Sequence, residues 1–194
     1  GQSDLWVRFD IVPLVYLFFI PAVSMGLIAR ENNLGTMETM STMPINTYEF
    51  VVGKFLAAFS LILLGLVATS IHLFTLISVG TNVDYGAIFS GYLGLALMGG
   101  TYAAIGTYAS SVTENQVVAF IIGVFIVLVF FMLDKILVFV PHSIAGFVQF
   151  LAVDYHLSNI SRGVIDSRNL VYFFSMIGFF IFLTIQTLEM KRWK

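Results

Sequence analysis

Five apolar runs, each long enough to cross a bilayer as helix, limit what this chain can fold into. A hydrocarbon core of roughly 30 Å takes about 20 residues of helix. Runs of that order fall at about 11–29, 55–79, 86–109, 117–133 and 170–188. A water-soluble domain carries roughly a quarter charged residues; here 10% of 194 residues are charged and 59% are hydrophobic. Too few charges remain to clothe a soluble surface. The expected fold class is therefore all-α, a single polytopic membrane domain over 1–194. A net charge of −2 gives no basis for a nucleic-acid partner, and the absence of cysteine excludes disulfides and thiolate metal sites.

The runs differ in kind. The first carries Pro13 and Pro21, which predict a kink. The second is uncharged apart from His72. An ionisable group at membrane depth is a functional suspect, but no acidic partner stands at any span centre. A neutral packing histidine is the simpler reading. The third run is rich in small residues, Gly91, Gly94, Gly99, Gly100, Ala103, Ala104 and Gly106. Small residues let helix backbones approach closely in lipid. Between the fourth and fifth runs, 134–169 is amphipathic rather than simply polar. Phe147, Val148, Phe150, Leu151 and Val153 are too few to span, so a re-entrant or interfacial helix packed on the ends of the spans is expected.

Five crossings put the termini on opposite sides. The end of the chain, with Lys191, Arg192, Trp193 and Lys194, has the basic and aromatic character of a cytoplasmic boundary. That orientation puts 30–54 and 110–116 in the cytoplasm and 1–10, 80–85 and 134–169 outside. Lys and Arg then number five inside and four outside, a slight bias.

The segment Arg30–Lys54, RENNLGTMETMSTMPINTYEFVVGK, is a long polar excursion for a chain of this kind. Gly35 and Thr36 break the first run. Thr36 can cap a short helix with Glu38 and Thr39 in its first turn. Pro44 stops that helix. Asn46 or Thr47 caps the next one, with Glu49 in its first turn, and Gly53 and Lys54 mark the membrane boundary. Met37, Met40 and Met43 lend the short helix an adaptable apolar surface. A docking element presented to the water is one reading; a solvated loop with charges at the membrane edge is the other. Lys54 also suits a snorkelling anchor.

The run E-x-x-L-G-T-M-E-T-M-x-T-x-P-I-x-x-x-E-x-x-x-G-K-F resembles the cytoplasmic signature of type II ABC exporter permeases, most of all those associated with bacterial gliding motility. SGYLGLALMGG at Ser90–Gly100 and AIGTYASSVTENQVVAF at Ala104–Phe120 extend the resemblance over nearly the whole chain. It implies six spans in the family, with an interfacial helix and a further span preceding the five here. It implies a bacterial inner-membrane permease that exports a substrate, works as a dimer with a second copy or a related permease, and is bathed by lipids. Two ABC ATPase subunits would pair with it. ATP and Mg would sit on those subunits, and this chain would carry no cofactor. The coupling helix would lie in the segment after the first span. The ATPase-coupling residues implied are Arg30, Glu31, Asn32, Leu34, Gly35, Thr36, Glu38, Thr39, Thr42, Pro44, Glu49, Gly53 and Lys54. The second cytoplasmic loop, Ser111, Thr113, Glu114, Asn115 and Gln116, would assist. Thr113 and Glu114 read equally well as a polar cap on the fourth span.

Catalytic constellations are missing from the sequence. Gly53-Lys54-Phe55 is not a phosphate-binding loop, since Tyr48 and Phe55 occupy positions that the loop reserves for Gly and Ser or Thr. There is no HExxH and no GxSxG. Asp154, His156 and Asp166 could mimic a metal cluster, but Asp154 and His156, two apart, share no helix face, which argues against a metal. Asp134 and Lys135 suit interfacial pairing with their neighbours. An intramembrane enzyme would need paired ionisable groups at span centres, and a secondary transporter an inverted repeat; neither pattern is present. The alternative within the ABC class is a mechanotransmitter that acts on a periplasmic partner without moving substrate.

Overall fold

The structure is a computed structural model that describes residues 2–36, 45–79, 85–163 and 165–192, with side chains over 11–36, 45–71, 85–163 and 165–191. The described residues form helices and no strand. In chain order these are α1 (Gln2–Ser24), α2 (Ala29–Asn33), α3 (Thr47–Val79), α4 (Tyr85–Val112), α5 (Gln116–Ile136), α6 (His142–Leu151), α7 (Val153–Ser161) and α8 (Ser167–Arg192). A 3-10 turn, Leu137–Phe139, prolongs α5. Among the described residues, five stretches are long and apolar enough to cross a membrane: Ile11–Asn33, Thr47–Ile71, Tyr85–Val112, Gln116–Phe139 and Ser167–Lys191. The chain is a polytopic all-α membrane protein.

α4 is the axis of the bundle. Of its most apolar stretch 78% is buried, against 22–39% for the other four. α1, α3, α5, α7 and α8 all pack on it. Its small residues make this possible. A Cβ on Gly94 would stand 2.9 Å from Leu157 Cδ1, and one on Gly99 2.8 Å from Ile62 Cγ2. A Cβ on Gly106 would collide with the Ser24 side chain. Lipid tails are as apolar as leucine, so these helices gain little from hiding apolar area; close van der Waals packing holds them instead. Met98, Tyr102 and Ile105 of α4 form one core with Leu17 and Ile20 of α1, Val127 of α5, Ile160 of α7 and Phe173 of α8. The opposite faces of α3, α5 and α8 expose Leu64, Val67, Phe125, Phe174 and Phe182.

Pro13 and Pro21 both lie inside α1, and the helix runs on past each. The interruption comes just after, at residues 25–28. The cause is local. The Ser24 hydroxyl, just before the break, donates back to the Ile20 carbonyl at 2.6 Å, a bond that bends helices. The chain then resumes as α2.

α3 is about 50 Å long at 1.5 Å per residue, well beyond the bilayer core. It begins at Thr47 and passes unbroken through Gly53 and Lys54. α6 and α7 meet at Ala152, whose extended backbone (φ −75°, ψ 118°) turns the chain. α7 buries Val153, His156, Leu157 and Ile160, while α6 buries none of its residues. The amphipathic insertion therefore divides into a packed helix and an exposed one.

Candidate functional site

Residues that the sequence associates with docking gather at one end of the bundle, where α2, the start of α3 and the α4–α5 turn meet. The Glu31 carboxylate pairs with the Lys54 ammonium, joining α2 to α3. Lys54 also lies over the Phe50 ring, 5.4 Å from its centroid. Both partners of the pair are partly sheltered, which strengthens a charge-assisted bond beyond its value in open water. Gly35 has φ +69°, a left-handed turn that glycine adopts without strain, and it ends the α2 arm. The Thr36 hydroxyl donates to the Glu31 carbonyl at 3.2 Å, so it steadies the turn behind it. At the start of α3 the Asn46 amide donates to Glu49 Oε2 at 3.2 Å, the return half of a capping box. The Tyr48 hydroxyl donates to Glu49 Oε1 at 3.1 Å.

Arg30, Leu34, Gly35 and Thr36 are exposed, as are Glu49 and Gly53. Leu34, Ile45 and Tyr48 form large exposed apolar surface at this polar end. Among the described residues, two buried polar atoms here, Glu31 Oε2 and Asn32 Nδ2, have no hydrogen-bond partner. Such atoms are uncommon in a finished interior. Glu38, Thr39, Thr42 and Pro44, with the three methionines of the short helix, lie outside the described residues, as does the side chain of His72.

The second loop differs in detail from expectation. Asn115, rather than Thr113 or Glu114, caps α5: its Oδ1 accepts from the Val117 amide at 2.9 Å. Thr113 Oγ1 accepts from the Asn115 amide at 3.1 Å. An extended Asn115 backbone (φ −97°, ψ 120°) lets the side chain reach forward. Glu114 stays exposed, and Gln116 turns its side chain toward Gly26 in the α1–α2 break. Ser111 is buried, with its hydroxyl donating to the Tyr108 carbonyl at 2.7 Å.

Two residues outside the docking set expected from the sequence hold this end together. Ser110 Oγ accepts from the amides of Ile28 at 3.0 Å and Ala29 at 2.9 Å and donates to the Met25 carbonyl at 2.8 Å. A hydroxyl has one proton and two lone pairs, and all are used. Ser110 thus splices the break between α1 and α2 onto the central helix. Lys191 of α8 donates to the carbonyls of Ser111 at 2.9 Å and Val112 at 3.4 Å, a cation on the C-terminus of α4. The only sequence signals were a serine in a small-residue run and a lysine beyond an apolar run, and neither names its partner.

The far end is closed by aromatic packing. The His156 ring is buried and stacks on Tyr172, centroids 3.9 Å apart. Its Nε2 donates to the Phe150 carbonyl at 2.8 Å, and Nδ1 lies 2.7 Å from Asn169 Oδ1. The Tyr172 hydroxyl donates to the Leu151 carbonyl at 2.7 Å. Lys135 pairs with Asp154 at 2.6 Å and Asp134 at 3.7 Å, the interfacial pairing the sequence suggests. Both ring nitrogens of His156 are engaged.

Residues 8–162 match the family model described as ABC-2 family transporter protein. The chain belongs to that family. No curated protein and no solved structure matches the chain. It is a multi-pass membrane protein of the ABC-2 permease type, the membrane component of an ABC transporter, and its family implies ABC ATPase partners. The arm at Arg30–Lys54 and the turn at Ser111–Gln116 both fall inside the matched region.

Proposed function

We propose that this permease receives mechanical input from an ABC ATPase at the Glu31–Lys54 end and uses it to drive export across a bacterial inner membrane. That end faces the cytoplasm in this reading, and ATP and Mg stay on the ATPase subunits. The observation that carries the proposal is the splice at Ser110. It ties the arm that begins at Ala29 directly to the helix on which the rest of the bundle packs. A push on α2 therefore reaches α4 through hydrogen bonds. Leu34, Ile45 and Tyr48 supply apolar contact area beside exposed Arg30 and Glu49. Among the described residues, buried polar atoms of Asn32 and Glu31 have no hydrogen-bond partner, so a rearrangement of this end could give them one.

A partner can shift the bundle only by binding its two arrangements unequally. The latch between Glu31 and Lys54 supplies a bond for one arrangement to keep and the other to break. The working unit would be a dimer of permeases, with the exposed faces of α1 and α3 at the subunit boundary. Kinship with the gliding-motility permeases rests on the run from Glu31 to Phe55, with SGYLGLALMGG and AIGTYASSVTENQVVAF in support. The experiment is co-purification from detergent with candidate ATPase subunits, comparing wild type with Glu38→Arg. Capture of an ATPase by wild type and its loss in the variant is the expected result. Absence of capture, or equal capture by both, removes the docking assignment.

A further inference from the structure

A cavity of about 480 Å³ opens at the α6–α7 end, among α6, α7 and the first turn of α8. Phe150 and Tyr155 give it an aromatic wall, and the buried pair His156–Asn169 forms its polar floor. Arg162 and Arg168 stand at its rim. A volume of roughly 300–1,000 Å³ with a mostly apolar wall and a few convergent polar groups is typical of small-molecule sites.

The charges around it are unbalanced. Lys135, the neighbouring cation, is matched by Asp154 and Asp134. Among the described residues, neither Arg162 nor Arg168 has a side-chain hydrogen bond or an ion pair. The one acid in the lining, Asp166, is spent on capping α8. Its Oδ1 accepts from the Arg168 amide at 2.9 Å, and its carbonyl accepts from Asn169 at 3.1 Å and Leu170 at 3.4 Å. Arg162 caps the C-terminus of α7, where a cation is favoured. Arg168 has no such reason to be where it is. It sits in the first turn of α8, where the helix dipole disfavours a cation.

We infer that this cavity binds a phosphate-bearing ligand, held by Arg162 and Arg168, with its adjoining apolar part against Phe150 and Tyr155. Guanidinium groups bind phosphate oxygens bidentately, which suits an open rim better than a point charge would. Asn159 adds an amide on the same side. The exposed apolar side chains of Val138, Phe139 and Phe147 place this region at a membrane interface, where lipid phosphates lie. The phosphate can belong to an anionic phospholipid headgroup or to a soluble compound.

The test uses the purified chain in a neutral detergent, without any ATPase, so its failure is separate from failure of the docking reading. Dioleoylphosphatidylglycerol, dioleoylphosphatidylcholine and inorganic phosphate are titrated, with retained lipid measured by native mass spectrometry and phosphate by thermal protection. Wild type is expected to prefer the anionic lipid, and the pair Arg162→Gln with Arg168→Gln to weaken it about tenfold or more. Arg192→Gln, a cation removed at the far end, leaves it unchanged. Asp166→Asn keeps a good cap and tightens binding by roughly threefold as a rim carboxylate goes. Protection by inorganic phosphate alone, lost in the double variant, assigns the soluble source. No binding of either probe, or equal binding by the double variant and wild type, overturns the site.

Discussion

The two ends of this bundle are built on different principles. At the α6–α7 end, His156, Tyr172, Phe150 and Asn169 interlock, and each ring nitrogen and hydroxyl of the cluster has a partner. At the Glu31–Lys54 end, single side chains reach across long sequence separations: Ser110 to the α1–α2 break, Lys54 to Glu31, Lys191 to the end of α4. Among the described residues, that end also has unpaired polar atoms at Glu31 and Asn32 and exposed Leu34, Ile45 and Tyr48. A stacked cluster resists any displacement. Isolated latches can open one at a time. The contrast lies in how each end is tied to the bundle: an interlocked aromatic cluster beneath the exposed α6, against separate long-range latches.

The sharpest way to break the contrast is to damage the rigid end. His156→Ala removes the stack on Tyr172 and orphans both the Phe150 carbonyl and the Asn169 side chain. The expected cost is about 3–5 kcal/mol, from a cavity plus unsatisfied polar groups. Thermal unfolding in detergent reads it as a large fall in midpoint. The molecules that remain folded should still capture an ATPase. A midpoint within a degree of wild type removes the claim that this cluster holds the end closed.

Ser110→Ala probes the other end. It leaves the Ile28 and Ala29 amides without their acceptor beside a buried backbone. About 2–3 kcal/mol or more is expected, since two buried donors lose their acceptor. The decisive readout is functional. ATPase capture should persist while stimulation of ATP hydrolysis by the permease falls, because the arm still binds and no longer pulls on α4. Equal loss of capture and stimulation makes Ser110 a folding residue only.

Much of the fold was legible because lipid leaves helices few alternatives. Five apolar runs gave five spans, and the glycines of the third marked the helix that becomes the axis. The break at Gly35 and the helix start at Asn46, with Glu49 in its first turn, were readable from local chemistry, where cause and effect lie within four residues. The latches were not. Ser110 and the Met25–Ala29 segment are more than 80 positions apart, and nothing in a single sequence links them. His156 could be weighed only beside Asp154 and Asp166, because its actual partners, Phe150 O, Asn169 and Tyr172, include a backbone carbonyl and residues of another helix. The Asn115 cap was missed by one or two positions because Thr113, Glu114 and Asn115 are all plausible cap chemistry, and only backbone geometry chooses.

The Glu31–Lys54 pair sharpens the comparison with a smaller effect. Lys54→Met should cost about 1 kcal/mol or less, since both side chains are partly solvated. The exchange Glu31→Lys with Lys54→Glu should recover most of it. If the pair is a latch, the single variant changes ATPase stimulation more than it changes the unfolding midpoint, and the exchange restores the former. A single variant with normal stimulation reduces the pair to a surface ion pair.

Lys191 carries the smallest expected effect and the finest distinction. Its ammonium caps two carbonyls at the end of α4 from the last turn of α8. A cation at a helix C-terminus contributes about 0.3–1 kcal/mol, and salt screens it. Lys191→Gln keeps a donor without the charge, whereas Lys191→Met removes both. If hydrogen bonding to the Ser111 carbonyl matters most, the glutamine variant stays near wild type and the methionine variant falls at every salt concentration. If the charge matters most, both variants fall alike at low salt and converge on wild type as salt rises. The second pattern would tie α8 to α4 through a field. The first would tie it through a bond like that of Ser110, making the docking end uniformly a set of discrete latches.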